Sequence, residues 1–410
     1  MRHFILVFLF FSLYSEMVYS KACPKVDFSK CPDKSICKQP ALLKGKKLES
    51  LLKDLKETEY DLPWTVASEN ELTLTTKFFE SLRKVDKIFK KSIGSFKKQI
   101  QKYKETKKIS KKITKASFEL SEKIAKLSFW AKKDSKKILK EIKGVKKVKV
   151  SLDYKKIDGK TGKTNFYLYQ LRKKALKPRP VLLIMPPIYG ISPFDIGMAI
   201  EYASLGFQVA ILELDGVKFV SPFRAINSLK PAMKRVIGDT HRMIEYLKKH
   251  SNIDSENMGI FGFSLGGLLS SMVYVLNHEI KVLGTAMGGA NFPELFTNSQ
   301  QAMGKLYRIY RMKKENIKTK KGYFSVLESA LPYEPMALAY RRKQNHVYFV
   351  ASMGDSLVPS KNQWELTKAF GASCEKGNVR WEKDQHFIAI VKDLLKRNKL
   401  RKFFMDKLMK

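Results

Sequence analysis

Residues Met258–Ser270, MGIFGFSLGGLLS, constrain the fold of this chain more than any other stretch. An apolar run climbs to Phe263, one serine stands among glycines, and an apolar run of helical length, LLSSMVYVLN, follows. Gly262-Phe263-Ser264-Leu265-Gly266, with Gly267 next, keeps the G-x-S-x-G spacing of a strand that turns sharply into a helix. The backbone at such a serine is strained, so its neighbours must be small. The turn lifts the hydroxyl clear of the sheet, to a helix N-terminus whose dipole favours nearby negative charge.

The chain has 410 residues, 44% of them hydrophobic, enough to bury a core and to form two or three domains. Its formal charge of +40 predicts a surface that attracts anionic membranes, polyanions or cell-envelope polymers. Nucleic acid is the weaker partner, because no helix-turn-helix, finger or aromatic-interleaved RNA signature accompanies the charge.

The N-terminus points to export. Arg2 and His3 precede the apolar run FILVFLFFSLYS, and small residues stand at Val18 and Ser20. This pattern predicts a signal peptide over residues 1–20, the run being short for a membrane span. A retained anchor is the alternative. Ser20-Lys21-Ala22-Cys23 resembles a bacterial lipoprotein processing box, although the usual Leu three residues before the cysteine is missing. Lipid on Cys23 would leave Cys31 and Cys37 as a disulfide pair and Cys374 unpaired. Cleavage after Ser20 or Ala22 without lipid is the other reading. Either route predicts a periplasmic, outer-membrane-associated or secreted protein. No Cys/His spacing suggests a metal site, and no cofactor is expected.

Residues 21–43, with Pro24, Pro32 and Pro40, read as a linker. From 44 to 144 the pattern is helical and Lys-rich. Phe78, Leu82, Val85, Phe89, Ile93, Phe96 and Ile100 form one stripe; Ile113, Leu120, Ile124, Leu127 and Ile138 form a second. A helical hairpin packed on the body is the plainer expectation, a basic amphipathic device at a membrane surface the sharper one. From Val145 onward short apolar runs alternate with helical stretches, which implies a mostly parallel sheet covered on both faces. VKKVKVSLDY and TNFYLYQLR, before the alternation begins, predict an antiparallel edge.

A serine nucleophile needs a base, and the base an orienting carboxylate. His3 lies in the leader. His241 and His250 belong to the helix before the elbow, His278 ends the helix after it, and His346 opens a strand. His386, in DQHF, follows a late strand and is the candidate base. Asp355, in ASMGDSLVPS, ends the strand HVYFVASM, where catalytic groups of parallel sheets gather. Asp384 is the second choice, its two-residue separation from His386 being unfavourable for an oriented bond. Asp215 and Asp239 precede the elbow and fit worse.

With Ser264, Asp355 and His386 in this order, residues 145–410 resemble the α/β-hydrolase superfamily. The resemblance implies an eight-stranded, mostly parallel sheet with helices on both faces and an acyl-enzyme on Ser264. His386 would act as acid–base and Asp355 as its orienting partner. It also requires an oxyanion hole. The Leu265 N–H is one donor. The second comes from Pro186-Pro187-Ile188-Tyr189-Gly190, where many family members have His-Gly; proline has no N–H, so the donor shifts to Ile188 or Tyr189.

The family places a cap over the nucleophile, here residues 291–343. Tyr189, Phe292, Leu295, Phe296, Met303, Tyr307 and Tyr310 are its candidate pocket residues, unless they only pack the cap onto the body. The expected function is an exported serine hydrolase of small-molecule or lipid carboxylic esters. A peptidase or acyltransferase with the same three residues is the alternative, and a non-catalytic protein that binds anionic surfaces is the third reading.

Overall fold

The computed structural model describes residues 40–56, 63–72, 144–156, 158–173, 176–187, 190–214, 225–386, 389–390, 393 and 398–409. The leader, Cys23, Cys31, Cys37, both helical stripes, Asp215, Ile188 and Tyr189 lie outside them. Among the described residues, no helix is long and apolar enough to cross a membrane.

Nine strands form one sheet in the order β1-β2-β3-β5-β4-β6-β7-β8-β9. They are β1 Trp64–Leu72, β2 Val145–Lys155, β3 Thr161–Leu171, β4 Arg179–Met185, β5 Gln208–Leu212, β6 Ile253–Phe263, β7 Ile280–Ala286, β8 Val347–Ser352 and β9 Val379–Glu382. From β5 through β4 to β9 all pairs are parallel. The β1, β2 and β3 edge is antiparallel, as the two early runs predict.

The ninth strand is the departure from expectation. Trp64–Leu72 falls inside the stretch read as helical, yet it pairs along β2 from Trp64↔Tyr154 to Leu72↔Lys147. Most of its residues are exposed, so it is an edge strand held by backbone pairing more than by side-chain burial. Its sequence therefore carries little hydrophobic pattern. The helix α1, Lys46–Leu55, also joins the body. Leu51 and Leu55 enter the core, and Asp54 accepts hydrogen bonds from Lys230, Lys234 and Tyr333. The body thus recruits chain well before the boundary expected at 145.

Among the described residues, the longer helices follow in chain order: α2 Pro193–Ser204, α3 Leu229–Lys248, α4 Leu265–Leu276, α5 Phe292–Asn298, α6 Ala302–Lys314, α7 Lys320–Ala330, α8 Ser360–Ala369 and α9 Asn398–Leu408, with a single short turn of helix at Pro335–Leu338. Strand alternation divides the core into two layers. Val181, Leu183 and Met185 face α3 and α4; Leu182 and Ile184 face α2 and α9. Every residue of α4 is buried, which explains why its sequence is apolar on all sides. The cap expected over 291–343 consists of α5, α6 and α7, between β7 and β8.

Cys374, between α8 and β9, is disulfide-bonded. This corrects the expectation of an unpaired thiol there. Spacing along the chain cannot show which thiols a fold brings within bonding range.

Candidate active site

The C-terminal ends of β6, β8 and β9 carry the three candidate groups to one rim of the sheet. Ser264 follows Phe263 directly, with φ 53° and ψ −121°, a strained conformation for a residue with a side chain. The Ser264 N–H donates to the Ala286 carbonyl at 2.9 Å, which pins the turn to the end of β7. Contact explains the flanking glycines. A Cβ on Gly262 would lie 2.3 Å from the Gly266 backbone, and one on Gly266 would lie 2.1 Å from the Met185 carbonyl oxygen. Only without those atoms can α4 start so close to β4 and β6.

His386 opens a helical turn after β9. Its Nε2 stands 2.8 Å from Ser264 Oγ, and its Nδ1 stands 2.5 Å from Asp355 Oδ2. All three side chains are buried. Asp355 is itself held firmly: Oδ1 accepts from the Leu357 and Val358 N–H groups, and Oδ2 accepts from Gln363 Nε2 at 2.9 Å. Gln363, buried on α8, also donates to the Val358 carbonyl and accepts the Ser352 N–H. It ties the end of β8 to the loop that presents Asp355. Sequence reasoning missed Gln363, since a glutamine in the amphipathic SKNQWELTKA has no signature. The Asp384 backbone carbonyl accepts from Ser352 Oγ, and the imidazole Nδ1 is held by Asp355.

The Leu265 N–H is the first of α4, where an amide has no acceptor within its own helix. The chain between β4 and α2 approaches this turn from Pro186 and Pro187. Asp195 caps α2 through Ser192, whose N–H and Oγ donate to Oδ2 at 2.7 and 2.6 Å. Its Oδ1 is buried without a partner among the described residues, and burial pushes its carboxyl up to about 7 against the Ser192 hydrogen bonds.

A cavity adjoins Ser264, walled by Leu265 and Leu268 of α4, Leu295 and Phe296 of α5, and Tyr307 of α6. Phe296 and Tyr307 thus stand where the sequence suggested. Phe292 does not line this cavity. It is the first residue of α5, its N–H donates to Glu334, and its ring packs into the core. Tyr310, also a candidate, is exposed. Arg308, Arg311 and Tyr323 add polar groups to the wall that the sequence did not single out. The described histidines other than His386 lie elsewhere: His241 stands beside Glu245 and Glu279, His250 packs on Tyr246, His278 meets Arg341 and Arg342, and His346 Nδ1 meets the Lys281 carbonyl.

A largely parallel sheet with a serine on a strand–helix elbow, covered by helices on both faces, is the α/β-hydrolase fold of a serine hydrolase. Within that class the pattern of the prolyl oligopeptidase family matches residues 196–403, just over half of the chain. The chain belongs to that family. An acetyl xylan esterase from Paenibacillus sp. R4 superposes with a TM-score of 0.50 at 12% identity, over 90% of this chain and 99% of that one. An acylaminoacyl peptidase from Pyrococcus horikoshii gives 0.48 at 17% identity, over 67% of this chain and 43% of that one. A Bradyrhizobium sp. protein described as a probable 2-oxo-3-(5-oxofuran-2-ylidene)propanoate lactonase is 25% identical over 93 residues. That match spans 22% of this chain and only 38% of the relative's length.

Proposed function

We propose that this serine hydrolase is an exported enzyme that cleaves carboxylic esters through an acyl-enzyme on Ser264. The hydrogen-bond chain from Ser264 Oγ through His386 to Asp355 carries the reading. His386 Nε2 removes the Ser264 proton as Oγ attacks the ester carbonyl, and the same proton then passes to the departing alcohol. Asp355 accepts the Nδ1 proton's hydrogen bond, which fixes the tautomer and stabilises the imidazolium as it forms. The Leu265 N–H donates to the developing oxyanion, and an amide of Ile188 or Tyr189 supplies the second donor. Water then enters, His386 takes its proton, and the acid is released. Burial of the three groups supports this sequence, because fixed dipoles act strongly where water is excluded.

The apolar leader-like run and the bridge at Cys374 support export, since disulfides persist in oxidising compartments. The family's name favours a second reading, in which the same three residues cut peptides. Turnover of short p-nitrophenyl esters against matched p-nitroanilides separates the two. Ester kcat/KM is expected to exceed that of the amide by several orders of magnitude. Equal or faster amide cleavage would overturn the ester reading.

A further inference from the structure

The roof of the cavity carries two buried guanidinium groups that a neutral acyl group leaves unexplained. Arg308 and Arg311, three residues apart on α6, line the same cavity as Ser264, and both are buried, 6% and 2% exposed. Among the described residues, no carboxylate lines that cavity. Acids of the cap and its supports hold other partners, and the Glu315 charge also acts on the Tyr323 hydroxyl. Glu294 holds Lys361 and Asn291, Glu315 accepts the Ile226 N–H, and Asp355 holds His386.

Arg308 has no carboxylate within ion-pair distance among the described residues. Its Nη1 donates to the Thr297 and Ser299 carbonyls, at 2.5 and 3.2 Å, where α5 ends. Those two bonds share one nitrogen of a group that offers five N–H donors, so Nη2 and Nε keep donors for another acceptor. Arg311 adds a second positive charge and hydrogen-bonds the Tyr323 side chain. Burying a guanidinium without a counter-ion is costly, and burial does hold Arg308 below its ordinary value. An anion entering the cavity would remove that cost. Arginine's planar fork matches a carboxylate.

We propose that this cavity is a carboxylate subsite, and that the preferred substrates are half-esters of short dicarboxylic acids whose free carboxylate meets Arg308 while the ester carbonyl meets Ser264. The inference rests on the ester-hydrolase reading and narrows it. A cavity of about 80 Å³ suits a short arm and not a long alkyl chain. In the reaction Ser264 Oγ bonds to the acyl carbon as the alcohol leaves with the His386 proton. One water then splits the acyl-enzyme and frees the dicarboxylate. No redox partner is needed.

The test compares p-nitrophenyl hemiglutarate with chain-matched, neutral p-nitrophenyl pentanoate on wild type, Arg308→Gln and Arg308→Lys. Wild type is expected to favour the hemiglutarate at least tenfold in kcat/KM. Arg308→Gln should cut that ratio at least tenfold, and Arg308→Lys should retain part of it. A wild-type ratio near or below one, or a ratio unmoved in Arg308→Gln, overturns the subsite. If wild type turns over the pentanoate ester without that preference, the subsite falls and the hydrolase reading stands. If neither ester is turned over and a fluorophosphonate fails to label Ser264, both fall.

Should Arg308→Gln not fold, calorimetry of Ser264→Ala protein decides without turnover. Monomethyl glutarate should bind at least tenfold more tightly than methyl pentanoate. Equal binding overturns the subsite.

Discussion

The floor and the roof of the cavity beside Ser264 follow opposite rules. On the floor, each reacting side chain meets a partner: Ser264 meets His386, His386 meets Asp355, and Asp355 accepts from two backbone amides and Gln363. On the roof, two buried arginines face a cavity in which no described lining residue carries a negative charge. A floor of satisfied groups is preorganised for one geometry, whereas the Arg308 guanidinium keeps donors for the anion proposed above. On that proposal, chemistry belongs to the sheet rim and selection to the cap.

The largest expected effect breaks the floor. Asp355→Asn keeps the shape but disfavours the tautomer that Nε2 needs to act as base, and kcat should fall by about four orders of magnitude. Steady-state ester kinetics on folded protein check this, and a loss under tenfold would mean that Asp355 is dispensable. Next comes Gly266→Ala, whose new methyl would meet the Met185 carbonyl oxygen at 2.1 Å. Unfolding by urea should show a loss of about 3 kcal/mol or more, since neither backbone can yield without moving the elbow.

Asp195 sharpens the contrast, because its buried Oδ1 has no partner among the described residues. Its carboxyl, pushed up to about 7 by burial, stays protonated in the fold when it is already ionised in the unfolded chain. The folded state then binds the extra proton, so this group's contribution to stability falls as pH rises from about 4 to about 7. Asp195→Asn cannot ionise. Its stability relative to wild type should therefore rise by about 2–3 kcal/mol between roughly pH 5 and pH 8. Parallel stability profiles for the two proteins would contradict the assignment. The smallest effect belongs to Gln363→Leu, which leaves Asp355 its backbone donors and removes one side-chain donor. A fall in kcat of about tenfold to a hundredfold with KM little changed is expected, and rescue by Gln363→Asn, which restores an amide on a shorter side chain, would show that the amide, not volume, had been lost.

The floor and the aromatic residues Phe296 and Tyr307 of the roof were readable in the sequence, and the roof's arginines were not, for physical reasons. Ser264, His386 and Asp355 sit at strand ends whose order along the chain fixes their order along the rim, and the elbow glycines mark where backbones touch. Arg308 and Arg311 lie in YRIYRMKK, which has the texture of any solvated cationic helix; only packing against α5 and α7 buries them. Gln363 is silent for the same reason. The strand Trp64–Leu72 is an exposed edge, so no alternation of apolar residues announced it, and the eight strands expected became nine. Cys374 looked solitary because separation in sequence hides proximity in space. Ile188, Tyr189 and the Lys-rich stripes lie outside the described residues.

The most direct test of a nucleophilic Ser264 is covalent. Folded wild-type protein treated with a fluorophosphonate should gain one adduct, and peptide mapping should place it on Ser264, with none on Ser264→Ala. An adduct on another residue, or no adduct on protein shown to be folded, would contradict the account.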